Sequence, residues 1–293
     1  MAEHMHDIKR RIKSISSTER ITNAMKLVSA SKLRKAKAAY ENSRGYMSGV
    51  LEDIRGVFED IDDIPEVFVE GSREIKNRCY VLITSSNGLC GSFNSNVIKT
   101  LEAELARDNA GRDNALLVTI GTKGRDYFLR RGYQLLMTHD APADTVDYAE
   151  TRKISEPLIR MYLDGKIDEI KIVYTRYINT LRQEPAAVQL LPVKRENIDS
   201  LAEEKKLNHV IEYSPSPEEV FNYLVPKYLE LTVFSVCMES ATCEYAARRS
   251  AMENANDSAR DMLSSLQTEY NHARQSAITD EIIEIVAGSE AQK

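Results

Sequence analysis

Residues 251–280 read AMENANDSARDMLSSLQTEYNHARQSAITD, and within them Met252, Ala255, Ala259, Met262, Leu266, Tyr270, Ala273 and Ala277 advance by steps of three or four. That spacing gives one apolar stripe along a helix. The stretch lies inside Lys227 to Ala287, where neither glycine nor proline occurs. One helix over that range would be roughly 90 Å long at ~1.5 Å per residue, several times an ordinary globular helix. Such a length calls for a coiled-coil partner. The start of the chain supplies one, because no proline precedes Pro65, no glycine precedes Gly45, and Ile8, Ile12 and Ile15, then Ile21, Met25 and Val28, repeat the stripe. Only the polar run Ser16-Ser17-Thr18-Glu19 interrupts it. Both stripes are rich in alanine and serine, which bury less than leucine but let two backbones approach closely and make a thin rod.

Charge supports pairing of the two arms with each other. The net charge of −6 divides into +6 for residues 1–58, −5 for residues 59–215 and −7 for residues 216–293. Exposed ion pairs are individually weak, but arms of opposite sign disfavour parallel association of identical arms. An intramolecular antiparallel hairpin is the expected topology.

Between the arms the period changes. Residues Cys79 to Thr84, Ala115 to Ile120 and Glu169 to Tyr174 are short apolar or alternating runs rich in β-branched residues, which predict strands. Ser92 to Asn109, Thr122 to Arg131 and Asp144 to Asp164 predict helices, and Ala186 to Val193 predicts a last strand, antiparallel or at an edge. The alternation implies a mainly parallel sheet covered on both faces. The fold class is therefore α/β, with a Rossmann-like central domain and a long antiparallel coiled coil of the terminal helices. The expected boundaries are 1–58 for the N-terminal helix, 59–77 for a linker, 78–193 for the α/β domain, 194–216 for a loop and 217–293 for the C-terminal helix.

Several chemistries find little support. Gly88-Leu89-Cys90-Gly91 and Gly121-Thr122-Lys123-Gly124 follow predicted strands, where backbone N–H groups can cradle phosphate. Neither meets the P-loop or three-glycine dinucleotide pattern, so tight βα turns are the simpler reading. The histidines lack partners at ligand spacing, and no serine sits in a nucleophile signature. No metal, cofactor or catalytic residue is expected. Cys79, Cys90, Cys237 and Cys243 read as buried free thiols in a reducing compartment, and a pair six residues apart on a helix points to different faces. No apolar run approaches the ~18 residues a membrane span needs, and the first residues carry no secretory pattern. The basic run Lys32-Leu33-Arg34-Lys35-Ala36-Lys37 admits an acidic partner or nucleic acid, or simply a solvated face. At the far end of the second arm Ile278, Ile282, Ile283, Ile285, Val286 and Ala287 point around the helix, which asks for an enclosing apolar partner.

Ile21-Thr22-Asn23-Ala24-Met25-Lys26-Leu27-Val28-Ser29-Ala30-Ser31-Lys32-Leu33-Arg34-Lys35-Ala36 closely resembles the N-terminal signature of the gamma subunit of F-type ATP synthases. Gly88-Leu89-Cys90-Gly91 with Phe93-Asn94 resembles that family's central turn. Tyr270-Asn271-His272-Ala273-Arg274-Gln275, Ile278-Thr279-Asp280-Glu281-Ile282 and Glu284-Ile285-Val286 resemble its C-terminal signature. The matches run in order over residues 5 to 288 and are of bacterial type, without the regulatory insertion of chloroplast members. The resemblance implies a non-catalytic rotary shaft, one copy per complex. Its coiled coil would stand in a hexamer of alpha and beta subunits, with the α/β domain near the epsilon subunit and the membrane c-ring and with a delta subunit in the same complex. It also implies a peripheral position on the cytoplasmic face of the cell membrane, no nucleic acid and no insertion into the bilayer. Met25, Arg248, Arg274, Gln275, Thr279 and Glu281 match positions that contact the hexamer, and Ile282, Ile285 and Val286 belong to the apolar tip it would enclose. Ser85-Ser86-Asn87 stands where the family has Ser-Asp and a basic residue, and Tyr245 and Arg249 replace a histidine and a methionine.

Overall fold

The structure, a computed structural model, describes residues 2–60, 74–192 and 217–290. Most of the linker expected at 59–77 and all of the loop at 194–216 lie outside the described residues. Among the described residues, five helices, α1 (Ala2–Asp60), α2 (Phe93–Arg107), α3 (Thr122–Leu129), α4 (Tyr148–Leu163) and α5 (Pro217–Glu290), accompany five strands, β1 (Arg78–Ile83), β2 (Ala115–Ile120), β3 (Gln134–His139), β4 (Glu169–Tyr177) and β5 (Gln183–Leu191). The chain forms two compact units, Met1–Ala30 with Arg248–Lys293, and Ser31–Ala247.

The first unit is a pair of helices. Asn256 Nδ2 donates to the Glu19 carbonyl oxygen at 2.9 Å and to Thr22 Oγ1 at 3.2 Å. Arg260 Nε donates to Glu19 Oε1 at 3.2 Å, and Lys26 lies 3.9 Å from Glu253. As α1 advances from 19 to 26, its partners on α5 retreat from 260 to 253, so the helices are antiparallel. The covered positions on α1 include 5, 8, 12, 15, 19, 22, 26 and 29, and on α5 they include 252, 256, 259, 263, 266, 270, 273 and 277. This is an alternation of three and four, a period of 3.5 that keeps a seam facing its partner.

That phase corrects the expected stripe. Ile21, Val28 and Met262 are 57%, 58% and 54% exposed, while Thr22, Ser29 and Asn256 are buried. The physical reason is that the heptad is held by small and hydrogen-bonded residues, so ranking by hydrophobicity selects neighbours one position away. Thr22 Oγ1 donates to the carbonyl oxygens of Thr18 and Glu19, and Ser29 Oγ donates to that of Met25 at 2.7 Å. Their hydroxyls are thus satisfied within their own helix, and the seam stays narrow.

In the second unit the sheet order is β3-β2-β1-β4-β5. β1 pairs in parallel with β2 and β4, β2 pairs in parallel with β3, and β5 runs antiparallel to β4 at the edge. Pro185 lies in β5 opposite Thr175, and an edge strand tolerates its missing N–H. β5 begins at Gln183 rather than Ala186, and β3 is a strand that hydrophobic runs did not disclose. β3 lies at the other edge with no fully buried residue, and its apolar run is only three residues, Leu135-Leu136-Met137, set between polar ones. α4 starts at Tyr148, later than Asp144, because Asp147 caps it by accepting from the Glu150 N–H at 2.8 Å. A 3-10 turn, Ala143–Thr145, precedes the cap.

One apolar layer joins one face of the sheet to α4, to Leu33 and Ala36 of α1, and to Val225 through Ala246 of α5. The other face packs on α2 and α3 through Val97, Leu101, Leu105 and Phe128. In unit 2, α5 is covered on nearly all sides from Tyr228 to Ala246, as a helix apolar all round must be.

Candidate partner interface and the sheet's two edges

The strand order reverses between β1 and β4, and the crevice beyond the carboxyl ends of such strands is where open α/β sheets bind ligands. Here the chain fills it. Cys90 and Phe93, from the turn after β1, pack with Cys243 of α5, and Tyr177 of β4 and Ala247 of α5 close around them. The turn itself is pinned by short-range bonds. Ser85 N–H donates to Asn94 Oδ1 at 2.9 Å, Ser85 Oγ to the Asn87 carbonyl oxygen at 2.6 Å, and Asn94 Nδ2 to Cys90 Sγ at 3.2 Å. Leu89 and Gly91 adopt φ of 63° and 59°.

The second glycine pair has a packing role. Gly121 has φ 89°, and a Cβ there would stand 2.1 Å from the Thr84 carbonyl oxygen. A Cβ on Gly124 would meet the Leu82 side chain at 2.7 Å. The Gly124 N–H donates to Thr84 Oγ1 at 2.9 Å and the Lys123 N–H to the Ser85 carbonyl oxygen at 3.2 Å. The donors that would cradle a phosphate at the start of α3 therefore serve β1. Gly121→Ala is expected to cost about 2–5 kcal/mol through strain and overlap. Gly88→Ala, with nothing within 4 Å, should stay within about 0.5 kcal/mol of the parent. Urea unfolding of both variants checks the contrast.

The amino ends of the interior strands β1 and β4 hold a buried charge cluster. Lys171, 6% exposed, is bonded to Asp108 and lies 3.5 Å from Glu169 and 3.7 Å from Glu104. Arg78 Nε donates to Glu169 Oε2 at 2.9 Å, and Tyr80 OH donates to Asp108 at 2.8 Å. Burial works to raise the Asp108 carboxyl, but the hydrogen bonds from Lys171 and Tyr80 and the nearby positive charges outweigh it and hold it below its ordinary value. Asp168 completes this end by accepting from the N–H groups of Lys76 and Asn77, each at 2.9 Å.

The thiols of Cys79 and Cys237 are pushed up to about 12 by burial, and that of Cys243 is raised by burial and then by Glu239. All four cysteines are buried and free. Among the described residues no cluster of His, Cys, Asp and Glu is arranged to hold a metal ion, and no helix is long and apolar enough to cross a membrane. In the basic run, Leu33 and Ala36 are buried. Lys32 Nζ donates to Tyr245 OH at 3.1 Å, and Lys37 lies 3.6 Å from Glu41. Two of the six residues of the run thus belong to the core, while Lys32, Arg34, Lys35 and Lys37 are exposed and partly neutralised.

Of the expected contact residues, Arg274, Gln275, Thr279, Glu281, Ile282, Ile285 and Val286 are exposed on successive turns of α5. Thr279 Oγ1 donates to the Gln275 carbonyl oxygen at 2.9 Å. Ile285 is 71% exposed, and Ile278, Ile282, Ile283 and Val286 are exposed with it. Met25 is half-buried on α1. Arg248 is only 8% exposed, which leaves little of it for another protein. Ile21, Leu27 and Val28 are exposed apolar residues flanking Met25, and the heptad phase was the signal that could have assigned them to the outer face. At the departures from the family pattern, Ser86 Oγ donates to the Asp140 carbonyl oxygen at 2.8 Å, and Tyr245 OH donates to Asp144 Oδ2 at 2.7 Å.

An α/β domain whose switch-point crevice is closed by its own C-terminal helix, with the two terminal helices paired antiparallel, defines a class of chain built around a helical shaft. The family profile described as ATP synthase matches residues 4–292. The ATP synthase gamma chain of Alkaliphilus metalliredigens is 40% identical over 294 residues, covering 100% of both chains. The sodium ion specific gamma chain of Acetobacterium woodii is 35% identical over 99% of each. Among solved structures, a chain from the central stalk and c-ring of Tetrahymena thermophila mitochondrial ATP synthase aligns with a TM-score of 0.58 at 25% identity, covering 80% of this chain and 99% of that one. A chain of Euglena gracilis mitochondrial ATP synthase, at 18% identity and a TM-score of 0.66 over 100% of this chain and 95% of that one, shares the fold. The chain belongs to the ATP synthase gamma chain family.

Proposed function

We propose that the chain is the rotary central-stalk subunit of an F-type ATP synthase and is itself non-catalytic. It couples ion flow through the membrane c-ring to the conformational cycle of the catalytic beta subunits. In this reading the helix pair turns inside the alpha and beta hexamer, once per complex, and the epsilon and delta subunits belong to the same assembly. Met25, Arg248, Arg274, Gln275, Thr279 and Glu281 contact the hexamer, and Ile282, Ile285 and Val286 run in an apolar bearing. The complex lies at the cytoplasmic face of a bacterial membrane, peripherally. The observation that carries the reading is an antiparallel, narrow-seamed helix pair ending in isoleucines exposed on several sides. An apolar surface of that kind calls for a surrounding partner. The absence of catalysis by the chain itself is supported by the crevice at the strand reversal, which Cys243 and Ala247 occupy.

Coupling of this kind is reciprocal, so ATP hydrolysis should drive rotation as ion flow drives synthesis. The direct test is co-expression with alpha and beta subunits of the same source, followed by size exclusion and an ATPase assay. Co-elution in a complex of one chain per hexamer, with ATPase activity that the chain alone lacks, is the expected result. Elution of the chain apart from a formed hexamer would sink the proposal.

A further inference from the structure

In unit 2, three buried polar side chains of α5 bind three different elements. Glu230 accepts from Tyr148 OH of α4 at 2.6 Å and from Lys227 Nζ at 2.9 Å. Glu239 accepts from the Tyr177 N–H at the end of β4 at 2.8 Å. Tyr245 OH donates to Asp144 of the 3-10 turn at 2.7 Å and accepts from Lys32 Nζ of α1 at 3.1 Å. Around Glu239 stand Tyr40 and Arg44 of α1, Tyr174 and Arg176 of β4, and Cys243 of α5 itself.

The intervals of nine and six residues turn through about 180° and 240°, at ~100° per residue, so Glu239 leaves α5 opposite Glu230, and Tyr245 lies about 60° from Glu230. The apolar residues between them, Leu231, Val233, Cys237 and Ala241, are all buried and similar enough to select a rotational setting of the helix only weakly. Directional hydrogen bonds select it strongly, because any axial turn of α5 leaves buried donors and acceptors unpaired. α5 is one helix from Pro217 to Glu290, so it carries any twist along its own length.

We infer that Glu239, with Glu230 and Tyr245, is a torque-bearing positioning residue that locks α5 rotationally to the α/β domain. The inference rests on the rotary reading. Twist then passes between helix and sheet instead of being lost as slip, and the residues touch neither nucleotide nor ion. Glu239→Gln retains the acceptor for the Tyr177 N–H. Glu239→Ala removes it, and Tyr245→Phe deletes one hydroxyl while keeping the ring.

The test is rotation of the assembled complex of this chain with alpha and beta subunits, read from a bead attached at Leu181→Cys. Leu181 is 97% exposed, and the native thiols are buried. Unloaded ATPase activity of all variants should match the parent. Under viscous load, Glu239→Ala with Tyr245→Phe is expected to turn slower than the parent by about fivefold or more, the lower end of an ordinary coupling between sites, whereas Glu239→Gln turns as the parent does. Equal loaded rotation of parent and double variant, or a Gln variant as impaired as the Ala variant, overturns the inference while leaving the rotary reading intact. A parent complex that hydrolyses ATP without turning overturns both. Should the Ala variant melt early, Tyr245→Phe alone under load decides.

Discussion

Lys171→Met is expected to destabilise the α/β domain by about 3–5 kcal/mol, the cost of leaving buried carboxylates without their cation. Lys171 lies among Glu104, Asp108 and Glu169, and Arg78 is paired with only one of the three, Glu169. Methionine matches the stem in length and fills the space, so the loss is electrostatic rather than a cavity. The pH dependence separates this account from simple misfit. Asp108 is held below its ordinary value in the folded parent. Its contribution is therefore fully present above the unfolded carboxylate value of about 3.9 and is lost as pH falls through the lower folded one. In the variant the hydrogen bond from Lys171 that lowers it is gone, and burial, which raises it, acts against fewer opposing interactions. The deficit should be largest near neutral pH and shrink as falling pH lets Asp108 take up its proton. Chemical denaturation at several pH values measures it, and a deficit independent of pH would show that charge is not its cause.

This cluster was invisible in the sequence because Glu104, Asp108, Glu169 and Lys171 come from α2, the residue after it and β4, brought together by the packing of α2 on the sheet. The same holds for the filled crevice. Cys243 and Ala247 read as small residues of an alanine-rich helix, and nothing local to them predicts Cys90 and Phe93 as neighbours. What a local reading does give is what period and composition encode. β1, β2 and β4 were legible because central parallel strands are buried on both faces and write continuous apolar runs. β3 was not, since its Gln134 and Thr138 face water. The helical arms were legible from the placement of glycine and proline. Their seam was displaced by one position on α5, where Asn256 and Leu263 occupy places that Ala255 and Met262 were expected to fill.

Tyr245 shows how a departure from a family pattern becomes intelligible only in three dimensions. The sequence marks it as a replacement for histidine. In the fold its hydroxyl joins Asp144 and Lys32, with the Lys32 ammonium 5.1 Å from the ring centre. A phenol reaches a carboxylate on one side and an ammonium on the other with a single oxygen, donating to the first and accepting from the second. The replacement therefore has a local geometry that suits it, whatever contact the histidine makes elsewhere in the family.

Deleting residues 278–293 is expected to weaken assembly with the alpha and beta hexamer by at least about a hundredfold, with little effect on the α/β domain. Ile278, Ile282, Ile283, Ile285 and Val286 are all exposed in the chain alone, so their removal costs its fold little in lost burial. Enclosing a wholly exposed side chain of this kind is worth about 1.5–3 kcal/mol, and with 48–71% of each exposed the five together exceed the ~2.7 kcal/mol of a hundredfold change. The covered seam of α5 runs to position 277, the residue before the deletion, and the sheet core draws nothing from the deleted residues. Thermal melting of the isolated chain should therefore be unchanged, while titration into hexamer followed by size exclusion reports the loss. Replacing the four isoleucines by serine in the full-length chain isolates apolar burial from helix length. If the serine variant assembles as the parent does, the tip is not held by an apolar bearing. If the truncation also lowers the melting of the α/β domain, the tip contributes to the fold in a way its exposure does not reveal.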